Sequence, residues 1–203
     1  PWVVGAPEGD TVRVALRVRP LIGKEKIERC SECVKIPNPK RPQVVIGNKR
    51  SFTYDYVYGP ASSQQEVYRG CTHPLVESAF DGYNATVVAY GQTGSGKTFT
   101  MGSGNNIGIP FEDQGLIPTV AKEMFQKIEN LERERPEVSV SVRVEFMEIY
   151  GEEMRDLLEP SGIEESEITL RTLENGQLVI LGCKSEIDTT EDDMLRCLER
   201  GSI

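Results

Sequence analysis

Apolar and polar residues alternate from Thr11 to Val18 and predict a half-buried strand. It stops at Pro20, which has no N–H for a ladder. Two more alternating runs, Gln43–Ile46 and Phe52–Tyr58, flank Gly47-Asn48 and predict a strand pair with a turn between them. Ser62 or Ser63 then offers an N-cap with Glu66 in the first turn. Val67, Cys71, Leu75 and Ala79 recur every four residues, one face of a helix that Pro74 should kink. After Asp81-Gly82, the nearly continuous apolar run Ala85–Tyr90 predicts a central strand covered on both faces.

Further on, Ile117, Val120, Ala121, Met124, Ile128 and Leu131 share one helical face, with Pro118 tolerable in the first turn. Val138, Val140, Val142, Val144 and Phe146 alternate with polar residues, the longest strand pattern in the chain. A short helix is expected from Glu152 to Leu158, and a hairpin from Ile168–Leu170 and Leu178–Ile180 around Asn175-Gly176. Thr190 caps a last helix through Met194, Leu195 and Leu198. Strands alternating with helices predict an α/β fold, a mixed sheet with helices on its faces. Residues 1–10 are rich in Gly and Pro and read as a flexible leader, with one domain from residue 11 to 203.

Composition narrows the class. With 38% hydrophobic and 27% charged residues, 203 residues suffice for one domain with its own core. No apolar run is long enough to span a bilayer, and the first residues do not read as a signal peptide. The start lacks a Met, which points to a processed or trimmed chain. Five scattered cysteines suggest no disulfide framework and fit a reducing setting. Cys30 and Cys33 form a C-x-x-C, but Cys71 and His73 are the only nearby groups that could complete a zinc site. The net charge of −9 disfavours nucleic acid and anionic membrane as partners.

One stretch carries chemistry. Gly91-Gln92-Thr93-Gly94-Ser95-Gly96-Lys97-Thr98 matches the phosphate-loop pattern completely, between a predicted strand and a helix-compatible run. Phosphate oxygens need several N–H groups aimed at one point, and Gly91, Gly94 and Gly96 let the backbone curl that closely. The helix starting near Lys97 adds unpaired N–H groups and its positive dipole end. Lys97 supplies a cation for the β- and γ-phosphates, and the Thr98 hydroxyl a ligand for Mg²⁺. The loop alone does not choose among kinases, GTPases, helicases and motors.

The stretch Gly82–Gly102 resembles the kinesin motor domain. Arg17-Val18-Arg19-Pro20, Phe52–Tyr58 and Glu145–Tyr150 running into Arg155–Leu158 do so too, in the family's order. Within the family, Gln43–Gly47 and Gly82–Thr86 are most similar to the chromokinesin and Costal-2-like group. The resemblance implies a P-loop NTPase fold with a central, mainly parallel sheet, and an ATP or ADP site with Mg²⁺. Arg17, Arg19 and Pro20 would pack around the adenine with Phe99 on its other side. On alternation alone, Arg17 and Arg19 would read as a solvated strand face, and Tyr90 as packing rather than contact. The loop from Gly102 to Gly115 resembles an insertion that gates nucleotide exchange.

The family's Ser-Ser-Arg-Ser-His and Asp-Leu-Ala-Gly-Ser-Glu switch motifs do not occur in this sequence. The expectation is therefore that the chain is the front part of a longer motor and is not by itself a competent ATPase, since those elements position the nucleophile. The complete domain would be a microtubule-stimulated ATPase, cytoplasmic and cytoskeletal, dimeric through a coiled coil outside this chain. The runner-up is a non-motile, microtubule-binding scaffold. Arg143, Arg155 and Arg171 are the candidate tubulin contacts, near an acidic stretch at Glu159, Glu164, Glu165 and Glu167.

Overall fold

The computed structural model describes residues 12–38, 40–47, 50–102, 109–159, 168–173, 176, 178–188 and 190–202. The expected leader, Asn48, Asn175 and the acidic Glu164, Glu165 and Glu167 lie outside these residues. The chain divides into two units, Pro1–Pro74 and Leu75–Ile203.

In the first unit, β1 (Ala15–Arg17) runs parallel to β5 (Tyr56–Tyr58), in the register Ala15 to Tyr56 and Arg17 to Tyr58. Between them come α1 (Gly23–Ile27), β2 (Val34–Lys35), β3 (Gln43–Ile46) and β4 (Arg50–Thr53). The last three form an antiparallel sheet in the order β2-β3-β4. The expected strand Phe52–Tyr58 is thus two strands. Asp55 breaks the run: its carboxylate accepts the Val14 N–H at 2.8 Å, which hands the chain from β3 to β1 as pairing partner. Val44 is fully buried.

α1 ends in a Schellman closure. Cys30 N–H donates to the Glu25 carbonyl at 2.9 Å and Arg29 N–H to the Lys26 carbonyl at 3.1 Å, with Arg29 left-handed at φ 54°. Glycine is the usual residue there, because a Cβ meets the following carbonyl.

The expected N-cap is Ser63. Its hydroxyl accepts the Glu66 N–H at 3.1 Å and the Glu66 carboxylate returns to the Ser63 N–H at 2.8 Å, a complete capping box. The helical run comprises α2 (Gln64–Val67), a π-turn (Tyr68–Thr72) and α3 (His73–Phe80). Proline has no N–H to continue an α-helical ladder, and the wide turn falls directly before Pro74. The anticipated kink is this local widening. Gly70 lets the Tyr58 hydroxyl come against the turn, where that hydroxyl bonds the Cys71 thiol at 3.3 Å. Val67, Tyr68 and Thr72 are buried there.

In the second unit, α4 (Lys97–Met101) and α5 (Leu116–Glu134) are separated by the glycine-flanked loop. Its neck is closed by backbone: a Cβ on Gly115 would strike Gly102, and one on Gly102 would reach Pro118 Cδ at 2.8 Å. α5 buries Leu116, Pro118, Thr119, Ala121 and Ile128; of the predicted face Ala121 and Ile128 are buried, while Ile117, Val120, Met124 and Leu131 are only partly covered. Lys127 bonds Glu77 at 2.5 Å and lies over the Phe80 ring, joining α5 to α3.

Three local expectations fail, each because a strand needs a partner. The run Ala85–Tyr90 is not a strand, and none of its backbone groups bonds to another backbone group among the described residues. Val88 is 79% exposed. Of the long alternation from Val138 to Phe146, only β6 (Val142–Val144) is strand, and β7 (Met147–Tyr150) begins just after it. Upstream, the Val138 and Val140 amides bond Arg135 and Glu132 at the end of α5 instead of a strand. At Phe146 the ladder changes partner, from β11 (Glu186–Asp188) to β8 (Glu153–Asp156). β8 replaces the helix expected over Glu152–Leu158, because Gly151 at φ 64° turns the chain back onto β7. The hairpin of β9 (Thr169–Thr172) and β10 (Leu178–Leu181) forms as expected, with Ile180 opposite Leu170. So does α6 (Glu191–Gly201), capped by the Thr190 hydroxyl on the Asp193 N–H at 3.2 Å.

Arg29→Gly should raise stability by up to about 1 kcal/mol, since it removes the left-handed Cβ penalty at the end of α1. A urea midpoint shifted upward at unchanged m would bear this out, and a lower midpoint would contradict it.

Candidate nucleotide site

The phosphate-loop residues form one continuous arch leading into α4. Gly94 at φ 79° and Gly96 at φ 98°, the residue capping α4, hold left-handed backbone that a side chain would strain. At Gly91 the limit is space: an added Cβ would strike the Ser95 hydroxyl and lie 3.1 Å from Ser95 Cβ. A bond of 3.1 Å from Ser95 N–H to the Gln92 carbonyl closes the turn.

The Lys97 ammonium turns back to the start of the loop. It donates to the Gly91 carbonyl at 2.8 Å and the Gln92 carbonyl at 3.1 Å. These two carbonyls take two of its three donors. Gln92, Thr93, Gly94, Thr98 and Phe99 are exposed, the Phe99 ring by 63%. A cavity of about 450 Å³ adjoins the arch, with Lys97, Thr98 and Met101 facing Phe146, Leu198 and Ser202. Tyr90 does not pack as its apolar run suggested, being 99% exposed in an unpaired segment.

The other set of site residues lies in the first unit. Arg17 is half-buried; its guanidinium donates to Gln64 Oε1 at 2.7 Å and more weakly to the Ser62 carbonyl at 3.4 Å. Burial lowers its pKa, because the charge is held away from water. Arg19 makes a two-pronged bond to the Glu25 carboxylate at 2.7 and 2.6 Å. Glu25 also accepts the Ile22 N–H at 3.0 Å. These bonds, Arg19 first, pull the Glu25 pKa from 4.5 to about 2. Pro20 is exposed beside them.

Each arginine is therefore held by a side chain from a different helix, Gln64 of α2 and Glu25 of α1. The solvated strand face that alternation suggested is replaced by two half-buried, clamped guanidiniums. Sequence reasoning did not single out either clamp. The signal for Glu25 was its place three residues after Ile22, where a carboxylate returns to the N-cap amide. Gln64 carried only the weaker signal of following the Ser63 cap.

Comparison with known proteins gives the family. The sequence model of the kinesin motor domain matches residues 17–203. The chain belongs to the kinesin motor-domain family. It is 38% identical over 211 residues to the kinesin-like protein KIF21A of Homo sapiens, covering 99% of this chain and 12% of that protein. Kinesin-related protein 8 of Dictyostelium discoideum is 43% identical over 98% of this chain and 10% of its own length. The kinesin-like protein KIN-4A of Gossypium hirsutum is 42% identical over 99% of this chain and 20% of its own. A solved structure of a fast kinesin superposes with a TM-score of 0.80 at 28% identity, over 94% of this chain and 52% of that one. The chain thus spans about half of that kinesin and a fifth or less of these relatives. The α/β architecture is that of the kinesin P-loop NTPase fold.

In this kinesin chain Cys30 and Cys33 are exposed free thiols, and no cluster of three ligating groups among the described residues includes them. Arg143, Arg155 and Arg171 are exposed, and Arg155 pairs with Glu153 at 2.8 Å. No helix among the described residues is long and apolar enough to cross a membrane.

The Glu25 pKa fixes the sign of one pH effect. A carboxylate whose pKa falls on folding contributes stability above its ordinary value of 4.5, and that contribution disappears as pH drops toward about 2. The stability gap between wild type and Glu25→Gln should therefore be full at pH 7 and shrink below pH 4.5. Denaturation midpoints across that range measure it; a gap that widened with acid would reverse the assignment.

Proposed function

We propose that this chain holds ATP or ADP with Mg²⁺, and that in the longer protein ATP hydrolysis drives movement along microtubules. The observation that carries the reading is the Lys97 ammonium folded onto the Gly91 and Gln92 carbonyls of a glycine-bent arch. Phosphate oxygens would compete for this cation, and Gly91, Gln92, Thr93, Gly94, Ser95 and Gly96 supply the surrounding backbone. The space that a Cβ at Gly91 would fill is taken by the Ser95 side chain, which lets the loop close on itself. Thr98, exposed in the first turn of α4, would hold Mg²⁺, which when bound neutralises phosphate charge. Arg17, Arg19 and Pro20 would contact the adenine, as would Phe99. Lys97 and Thr98 are then the catalytic contacts this chain supplies.

On this reading residues 11–203 form the front part of the motor domain. Microtubules are the partner polymer, the setting is the cytoskeleton of the cytoplasm, and a coiled coil outside these residues makes the dimer. Family membership supports the first two. Arg143, Arg155 and Arg171 would be exposed contacts for acidic tubulin.

Lys97→Ala should weaken binding of a fluorescent ADP analogue by about ten- to a hundredfold, the usual worth of a hydrogen bond to a charged group. Unchanged affinity would sink the nucleotide reading. Cosedimentation of the chain with microtubules should fall as salt rises across the physiological range, since exposed charges are screened. Binding indifferent to salt would remove those arginines as contacts.

A further inference from the structure

The two arginines stand out from the other cations of the first unit. Arg17 ends β1 and Arg19 follows two residues later, and each guanidinium meets a different helix. A guanidinium stacks on a flat ring at lower entropic cost when its own plane is already fixed, because a long arginine side chain otherwise rotates through many conformers. Both planes are fixed here before any ligand arrives. Gln64 is 4% exposed, and its amide oxygen takes Arg17 Nη1 at 2.7 Å. That amide sits in the first turn of α2, and the Ser63–Glu66 capping box anchors the turn. Glu25 grips Arg19 with both oxygens, and the Ile22 amide orients the carboxylate in turn.

We infer that Glu25 and Gln64 are positioning residues for nucleobase binding: they orient Arg19 and Arg17 to stack on the base, and they do not touch the nucleotide. The inference rests on the nucleotide reading above. It goes further in assigning base affinity to a clamp built from α1 and α2, separate from the phosphate arch. The Arg19–Glu25 pair lowers the cost of ordering Arg19 on binding, which is how preorganisation raises affinity. The paired carboxylate also offsets the arginine charge, so the site favours a neutral flat ring over a second anion.

The test separates base from phosphate. The whole 203-residue chain is titrated with a fluorescent ADP analogue and competed with ADP or with inorganic tripolyphosphate, which has no base. Glu25→Gln should weaken ADP about tenfold and leave tripolyphosphate within about twofold, as loss of one charge-assisted bond predicts. Gln64→Leu should act in the same direction, and Glu25→Asp should recover part of the loss. In an Arg19→Ala background, Glu25→Gln should add nothing further, since the two residues act as one unit. Equal weakening of ADP and tripolyphosphate would reduce the clamp to general support of the fold and overturn the inference. Unchanged ADP affinity in both Glu25→Gln and Gln64→Leu would overturn it too. A wild-type chain that binds tripolyphosphate but not ADP would overturn it while leaving the phosphate site standing. A wild-type chain that binds neither ligand overturns the nucleotide reading, and the inference with it.

Discussion

The Lys97 ammonium is the point on which the phosphate arch depends. A buried or half-buried cation needs carbonyl or carboxylate partners, and here the loop's own backbone provides two. Turning back from the first residue of α4 to Gly91 forces the intervening chain through a tight curve. That curve demands left-handed backbone at Gly94 and Gly96 and an absent Cβ at Gly91. The glycines answer a geometric demand that the lysine sets. With its carbonyls turned to the cation, the arch carries its own electrostatic substitute for a ligand.

A different device serves the arginine pair. There the backbone is ordinary, and fixation comes from side chains: one amide on α2 and one carboxylate on α1. The two devices suit two kinds of target. Phosphate is small, charged and tolerant of orientation, so a cradle of backbone dipoles is enough. A flat ring is sensitive to the plane of what it stacks on, so the stacking groups must be held from behind. Short α1 would contribute little as a helix. Its capping carboxylate gives it a role, because Glu25 closes the helix start and clamps Arg19 with one group.

What was legible in the sequence follows the range of the interaction involved. The Ser63–Glu66 box, the Thr190 cap, the β9–β10 hairpin and the phosphate arch are each decided within a few residues, and each appears where the pattern put it. Asp55 and Phe146 were opaque for the opposite reason. Asp55 ends a strand by bonding an amide 41 positions away, and Phe146 marks where the partner changes from β11 to β8. The Glu152–Leu158 stretch has helical spacing, yet a single left-handed glycine before it brings a strand within reach and the ladder wins. The burial of Arg17 and Arg19 depended on partners 47 and 6 positions away, which alternation cannot report.

The run Ala85–Tyr90 shows the same principle at its sharpest. Its composition is that of a fully covered strand, yet it stands unpaired and exposed directly before the arch. An apolar strand owes its stability to neighbours on both edges and both faces; propensity is worth about 1 kcal/mol at most. The solved fast kinesin is about twice the length that this chain matches, at a TM-score of 0.80. The arch, by contrast, keeps its curve although residues 85–90 are unpaired among the described residues, because Lys97 and the glycines close it locally. The curve of residues 91–98 is therefore set locally, whereas the strand that the composition of residues 85–90 predicts depends on pairing.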